Sequence, residues 1–172
     1  MHIGSRISVI SLVALVAAPS VFAGAQEDLN ALTGSLHTRV IWLQGSSTRF
    51  NGGKLMSFDS KSGEIKQVLA NNNTHRRPLL HNGGHSIVIS RDGKVYTLPF
   101  TGGSPSFVVD GQATDVWKDP ATGKEWVIVH ENAGGSGTIS RYMISDPSKR
   151  VVLHNRSVNT ETWYQVSGDG KV

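Results

Sequence analysis

Three histidines in one short stretch are the side chains best suited to bind a metal: His75, His81 and His85. His81 and His85 flank an Asn-Gly-Gly turn, so a hairpin would bring their rings close together across two strands. Two imidazoles do not complete a metal site, and no acidic residue lies beside them in the sequence. The alternative is a pair of solvent-facing histidines at a turn. We therefore predict no metal and no cofactor.

A second set of candidates consists of carboxylates that surround one later stretch of the chain: Asp115, Asp119, Glu125 and Glu131. A glycosidase needs two carboxylates held across a sugar, and nothing in the sequence fixes such a pair. Asp119 precedes Pro120, which is typical of a turn. These carboxylates do not predict catalysis.

Nucleophilic chemistry has equally little support. The segments Gly34-Ser35-Leu36 and Gly135-Ser136-Gly137 do not form the Gly-x-Ser-x-Gly elbow of serine hydrolases. The glycine cluster at 133–137 lacks the Lys and Ser/Thr that end a phosphate-binding loop. The chain has no cysteine, so a thiol nucleophile is excluded. Whether the protein is an enzyme stays open at this point, with the absence of catalysis favoured.

The first 23 residues have the pattern of a cleaved secretory signal. Arg6 precedes an apolar run that is shorter than the ~20 residues of a membrane span, and small residues follow it. The net charge of +4 comes from scattered basic residues rather than a patch, which argues against a nucleic-acid partner. An exported chain without cysteine favours a bacterial periplasmic or secreted protein, with no membrane span after cleavage.

The elements that would position any site are repeated. Residues 55–69, 95–109 and 139–153 align without gaps, each as an apolar run, a turn and a second apolar run, with starts 40 and 44 residues apart. A fixed period of this size indicates a repeat architecture. Turns such as Asp92-Gly93 supply the positive φ values of tight hairpins. We predict an all-β fold, a β-propeller of four-stranded antiparallel blades. The alternative is a β-sandwich, which gives no reason for the repeats.

The predicted organisation is a signal peptide at 1–23, a lead-in at 24–35 and a partial propeller at 36–172. Its blades span 36–70, with only three strands, then 71–110 and 111–155, with 156–172 as an incomplete fourth. The faces of the blades are expected from alternating pairs such as Ile87/Ile89, Trp126/Ile128 and Val151/Leu153. Because about three blades do not close a propeller, we expect the natural protein to continue past Val172. We also expect this chain to self-associate through an exposed blade face.

Two segments resemble the Ser-x-Asp-Gly-Lys signature of TolB-like propellers, namely Ser90-Arg91-Asp92-Gly93-Lys94 and Ser167-Gly168-Asp169-Gly170-Lys171. The third unit departs from the signature at 119–124, and the first unit lacks it. The resemblance covers roughly residues 36–172. It implies a binding role in the bacterial envelope or periplasm, in a family that includes scaffolds, sensor domains and the gating propellers of some peptidases.

The predicted binding face consists of loops that enter the first strand of each blade or join its second and third strands. Polar loops on a rigid scaffold commonly bind ligands. We expect a non-catalytic exported module that binds a protein or glycan, or alternatively the accessory propeller of a larger hydrolase. Trp117 and Trp163 have a second interpretation, as aromatics that pack between blades. The candidate binding residues are His75, Arg76, Arg77, Asp115, Trp117, Glu161 and Trp163.

Overall fold

The computed structural model describes residues 36–45, 53–70, 75–131 and 137–155. Within these ranges the fold is all-β and consists of three antiparallel sheets. The first sheet has three strands in chain order: β1 (Arg39–Gln44), β2 (Lys54–Asp59) and β3 (Glu64–Leu69). Three strands are what the sequence predicts for this unit, because only three stretches have the apolar alternation of a strand.

The second sheet is a four-stranded meander in which each strand pairs with the next along the chain. Arg91 pairs with Lys94 across the Asp92-Gly93 turn, and both turn residues have positive φ, 53° and 69°. This confirms the predicted two-residue hairpin, whose turn geometry favours Asp and Gly. The strands are β4 (Arg76–His81), β5 (Ser86–Arg91), β6 (Lys94–Pro99) and β7 (Ser106–Asp110).

The loop between β4 and β5 is longer than the sequence indicates. Residues Asn82–Gly84 form a short 3-10 turn, and His85 adds a fourth loop residue before β5 begins. Asn82 and Gly83 both have positive φ, 52° and 61°, the conformation that Asn and Gly tolerate best. The predicted Asn-Gly-Gly turn is therefore confirmed, and β5 begins one residue after His85 rather than directly after the turn.

The third sheet repeats the four-stranded meander with the remaining four strands. Its strands pair in register except for irregularities between the first and second strands and between the third and fourth strands. The last strand is the longest because residues 147–149 bulge out between two pairings, that of Met143 with Asp146 and that of Tyr142 with Arg150. The strands are β8 (Gln112–Lys118), β9 (Glu125–His130), β10 (Thr138–Met143) and β11 (Asp146–Asn155).

The central strand β5 contributes to two separate apolar cores because successive side chains point to opposite faces of a sheet. Ile87 and Ile89 pack with Leu55 of the first sheet, and Val88 packs with Val127 and Val129 of the third. All six side chains are at most 1% exposed. The second sheet is thus covered on both faces, as the continuous apolar run at residues 87–89 of β5 requires.

One predicted apolar face is wrong. Val151 was expected to pack together with Leu153, but the Val151 side chain is exposed. It belongs to β11, an edge strand of the third sheet, and most residues of β11 face solvent. A strand at the edge has fewer neighbours to cover it, so its apolar alternation does not lead to burial.

The described residues divide into two compact units. Residues 36–39 and 59–64 belong to the smaller unit, and the other described residues belong to the larger one. In the smaller unit the Asp59 carboxylate accepts hydrogen bonds from Arg39 Nε at 2.9 Å and lies 2.7 Å from His37 Nε2. Partial burial alone would raise the pKa of Asp59, but these hydrogen bonds outweigh it and hold the pKa well below its usual range.

Several predicted segments lie outside the described residues: the signal peptide, the lead-in at 24–35 and the fourth unit at 156–172. Within the part that is described, no helix is long and apolar enough to cross a membrane.

Candidate functional site

The predicted binding residues at the start of the second sheet differ in exposure. His75 is 1% exposed, and neither ring nitrogen makes a hydrogen bond of good geometry. Burial lowers the pKa of His75, an effect that the nearby Gly53 backbone partly offsets. Arg76 is exposed, whereas Arg77 is half-buried at a bulge with φ of 37°. Of these three residues, Arg76 is the one that presents its side chain to solvent.

Two of the other predicted residues, Asp115 and Trp117, lie on a strand that contacts β4, namely β8. Asp115 lies in β8, where its carboxylate accepts the backbone N–H of Val116 at 2.8 Å. Trp117 follows in the same strand, and Arg141 stacks between the rings of Trp117 and Trp126, 5.2 Å and 4.8 Å from their centroids. This cation–π arrangement supports the interpretation of Trp117 as a packing residue. Glu161 and Trp163 lie outside the described residues.

The three histidines differ in exposure, since His75 is buried, His81 is half-buried and His85 is exposed. The His81 side chain is 7% exposed, and its Nδ1 lies 3.0 Å from Glu125 Oε2. Its Nε2 lies 2.9 Å from the Thr97 hydroxyl oxygen. The other Glu125 oxygen accepts the backbone N–H of Asn82 at 2.6 Å. No acidic residue lies beside His81 in the sequence, but Glu125, 44 residues further along the chain, reaches it from the next sheet.

The hydroxyl, imidazole and carboxylate of this group are arranged in the order found in hydrolase triads. The carboxylate can only accept, so in a neutral ring the proton lies on Nδ1 and the Thr97 hydroxyl donates to Nε2. However, Glu125 also holds the turn of the second sheet through Asn82. We interpret the group as a structural hydrogen-bond network that joins the second and third sheets, and call it the polar clasp. Its members are His81, Thr97 and Glu125. Among the described residues, no three His, Cys, Asp or Glu side chains come together as a metal-binding group.

A cleft of about 450 Å³ opens where the second and third sheets meet, at the β5–β6 turn and the β7–β8 link. Two glycines in its lining are joined by a hydrogen bond, in which the Gly111 N–H donates to the Gly93 carbonyl oxygen at 2.6 Å. At Gly111, with φ of 130°, a Cβ atom would lie 2.5 Å from Val129 Cγ1 and 2.7 Å from the His130 oxygen. Glycine is therefore required at Gly111 for the link to approach β9. The lining residues are Gly93, Val109, Asp110, Gly111, Gln112, Glu131 and Tyr142.

Glu131 is the most firmly held polar group of the cleft. Arg150 binds both of its carboxylate oxygens, each at 2.7 Å, and the Tyr142 hydroxyl donates a further, short hydrogen bond. These contacts, with Arg150 first, overcome partial burial and lower the pKa of Glu131 to about 2. Burial, together with the Glu131 carboxylate, raises the pKa of Tyr142 to about 12. Glu131 is thus ionised and Tyr142 neutral at physiological pH.

Asp110 and Gln112 stand on either side of Gly111 at the end of β7 and the start of β8. Asp110 is exposed and Gln112 is half-buried. Lys94 pairs directly with Asp110 in the β6–β7 ladder. Asp110 and Gln112 therefore present a carboxylate and an amide on a short link whose backbone is fixed by Gly111.

The predicted binding face includes the loop that enters β8, at residues 111–115, and Gly111 and Gln112 of this loop line the cleft. None of the candidate binding residues within the described ranges lines it. Asp110, Tyr142 and Arg150 were missed, and Glu131 was considered only as a catalytic carboxylate. Alternation along β9 places Glu131 on the same face as Val127 and Val129, which is a usable signal. The pairing of Tyr142 with Arg150 depends on the bulge of β11 and has no local signal.

No family model matches the sequence, and comparison with curated proteins gives no match either.

Proposed function

We propose that this chain is an exported β-propeller module of the TolB-like type, non-catalytic, that binds a protein or glycan of the bacterial envelope. The observation that carries the proposal is the cleft between the second and third sheets, with its anchored Glu131 and its accessible Asp110 and Gln112. Clefts of about 300–1,000 Å³ with a few fixed polar groups are typical of ligand sites. The TolB-like resemblance of residues 90–94 supports an envelope location by analogy.

The arrangement of the sheets supports the propeller part of the proposal. Three successive meanders follow one another along the chain, and the middle one has two apolar faces, each covered by a neighbour. Neighbouring blades of a propeller bury their faces in this way. The Ser90 hydroxyl of the signature accepts the buried Ala113 N–H at 2.8 Å, which gives this residue a role in joining one sheet to the next.

The state of the charged groups supports binding rather than catalysis. A general acid or base works best when its pKa lies near the working pH. The pKa of Glu131 is lowered to about 2, and its oxygens are engaged by Arg150 and Tyr142. A carboxylate in this state accepts hydrogen bonds from a ligand but does not transfer protons at neutral pH.

Retention of envelope components on the immobilised full chain tests the binding function. The test variant is Asp110→Asn combined with Gln112→Ala, and the matched control is Glu64→Gln, which changes an exposed carboxylate at the start of β3. We expect the wild type and the control to retain an envelope protein or glycan, and the double variant to lose it. Equal retention by all three would contradict the cleft as the site, and no retention by the wild type would contradict binding.

Arg76→Ala tests the wider loop face, because Arg76 is exposed at the start of β4. If the partner is large enough to span this face, Arg76→Ala weakens retention as well. If Arg76→Ala changes nothing while the double variant loses binding, the partner contacts the cleft without reaching Arg76.

A further inference from the structure

We infer that the ligand of the cleft is a neutral molecule with several hydroxyl groups, a sugar residue. This inference rests on the proposed binding function and specifies the chemistry of the same site. The polar lining is rich in acceptors, since Asp110 and Glu131 contribute carboxylate oxygens and the Gln112 side chain contributes an amide. Such a lining complements a ligand that donates several hydrogen bonds, as neighbouring sugar hydroxyls do.

The charge balance of the cleft disfavours ions of either sign. An anion would find neither Lys, Arg nor His among the described residues that line the cleft. A cation would find little net attraction, because Arg150 neutralises Glu131 through a two-point ion pair and Lys94 stands directly across the ladder from Asp110. The one remaining carboxylate, Asp110, is exposed, and water and salt screen its field. Hydrogen bonding to a neutral ligand is not subject to this screening.

The apolar and glycine residues of the cleft fit the C–H groups of a sugar ring. Val109 and Tyr142 line the cleft beside the acceptors. Tyr142 is largely buried in the core with Val88 and Val127, so the half-buried Val109 is the apolar group available to the C–H groups of a pyranose. Gly93 carries no side chain and has open space around it, so a sugar ring can approach the main chain there. The Tyr142 ring is fixed by its hydroxyl bond to Glu131, which leaves the surface preformed.

Calorimetric titration of the full chain with named probes tests the inference. The neutral probes are glucose, galactose, mannose and N-acetylglucosamine, the cationic probe is spermidine and the anionic probe is citrate. We expect at least one neutral sugar to bind with equal affinity at low and high salt. Asp110→Asn should weaken that binding about tenfold or more, because it removes a charged acceptor. Gln112→Ala should weaken it less, and Glu64→Gln should leave it unchanged.

The outcomes separate this inference from the proposed function. If no sugar binds, but retention of an envelope component still depends on Asp110 and Gln112, the sugar assignment is overturned and the binding function stands. Salt-sensitive binding of spermidine or citrate in place of sugars also overturns the assignment. If neither a sugar nor an envelope component binds, both proposals fail. Unchanged thermal unfolding of Asp110→Asn, expected for an exposed residue, shows that any lost binding is not lost folding.

Discussion

The pairing of Glu131 with Arg150 makes a residue-scale prediction about acid stability. The pKa of Glu131 is about 2 in the folded chain and about 4.5 without the interaction, so the pair stabilises the fold above pH 4.5. This stabilisation is lost as the pH falls from about 4.5 towards 2. Because Arg150 is partly exposed, we expect the pair to contribute only about 1 kcal/mol.

The measurement is the free energy of unfolding in urea as a function of pH for the wild type, Arg150→Met and Lys149→Met. Arg150→Met should lower stability at neutral pH and flatten the acid dependence between pH 4.5 and 2. Lys149→Met, which removes the adjacent exposed cation, should leave the acid dependence unchanged. If both variants follow the wild-type profile, the structural importance of the ion pair is refuted.

At the scale of elements, the strands and their faces are readable from the sequence because they depend on local alternation and turn chemistry. The paired turn at Asp92-Gly93 and the three-stranded first sheet are examples. The contacts between sheets are not readable in this way. His81 and Glu125 are 44 residues apart, and their meeting depends on how two complete sheets pack. For the same reason the sequence indicates one loop of the cleft but neither Tyr142, which lines it, nor Arg150, which binds Glu131.

The polar clasp between β4 and β9 yields a prediction about these two elements. Glu125 contacts both the His81 ring and the Asn82 N–H, so Glu125→Ala leaves the partly buried imidazole and the exposed Asn82 N–H without their acceptor. We expect Glu125→Ala to lower the free energy of unfolding by about 2 kcal/mol. His81→Ala should cost a similar amount.

A double-mutant cycle isolates the interaction of these two side chains. The double variant of His81 and Glu125 should be less destabilised than the sum of the single variants, with a coupling of about 1 kcal/mol. Glu64→Gln serves as the carboxylate control and should have little effect. Full additivity would mean that the two side chains stabilise the sheets independently, and that the clasp does not exist as a unit.

For the whole molecule, the central sheet is covered on both faces, so truncation on either face should destabilise the same cooperative unit. Ile87→Ala opens a cavity against the first sheet and should cost about 2–5 kcal/mol. Val88→Ala opens a smaller one against the third sheet. Ile65→Ala, at a half-exposed side chain of β3, should cost much less. Thermal unfolding followed by circular dichroism and tryptophan fluorescence checks this, and separate transitions in the two signals would contradict a single unit.

The central claim is that the cleft between the second and third sheets binds a ligand. Amide chemical-shift mapping by NMR tests it most directly, with the best-binding neutral sugar as the probe. We predict that the largest shifts fall on Gly93, Gly111 and Gln112, which line the cleft. Gly63 and Gly123, in turns with open space around them, should not shift. Shifts centred on Gly63 or Gly123, or no shifts at saturating sugar, would contradict the claim.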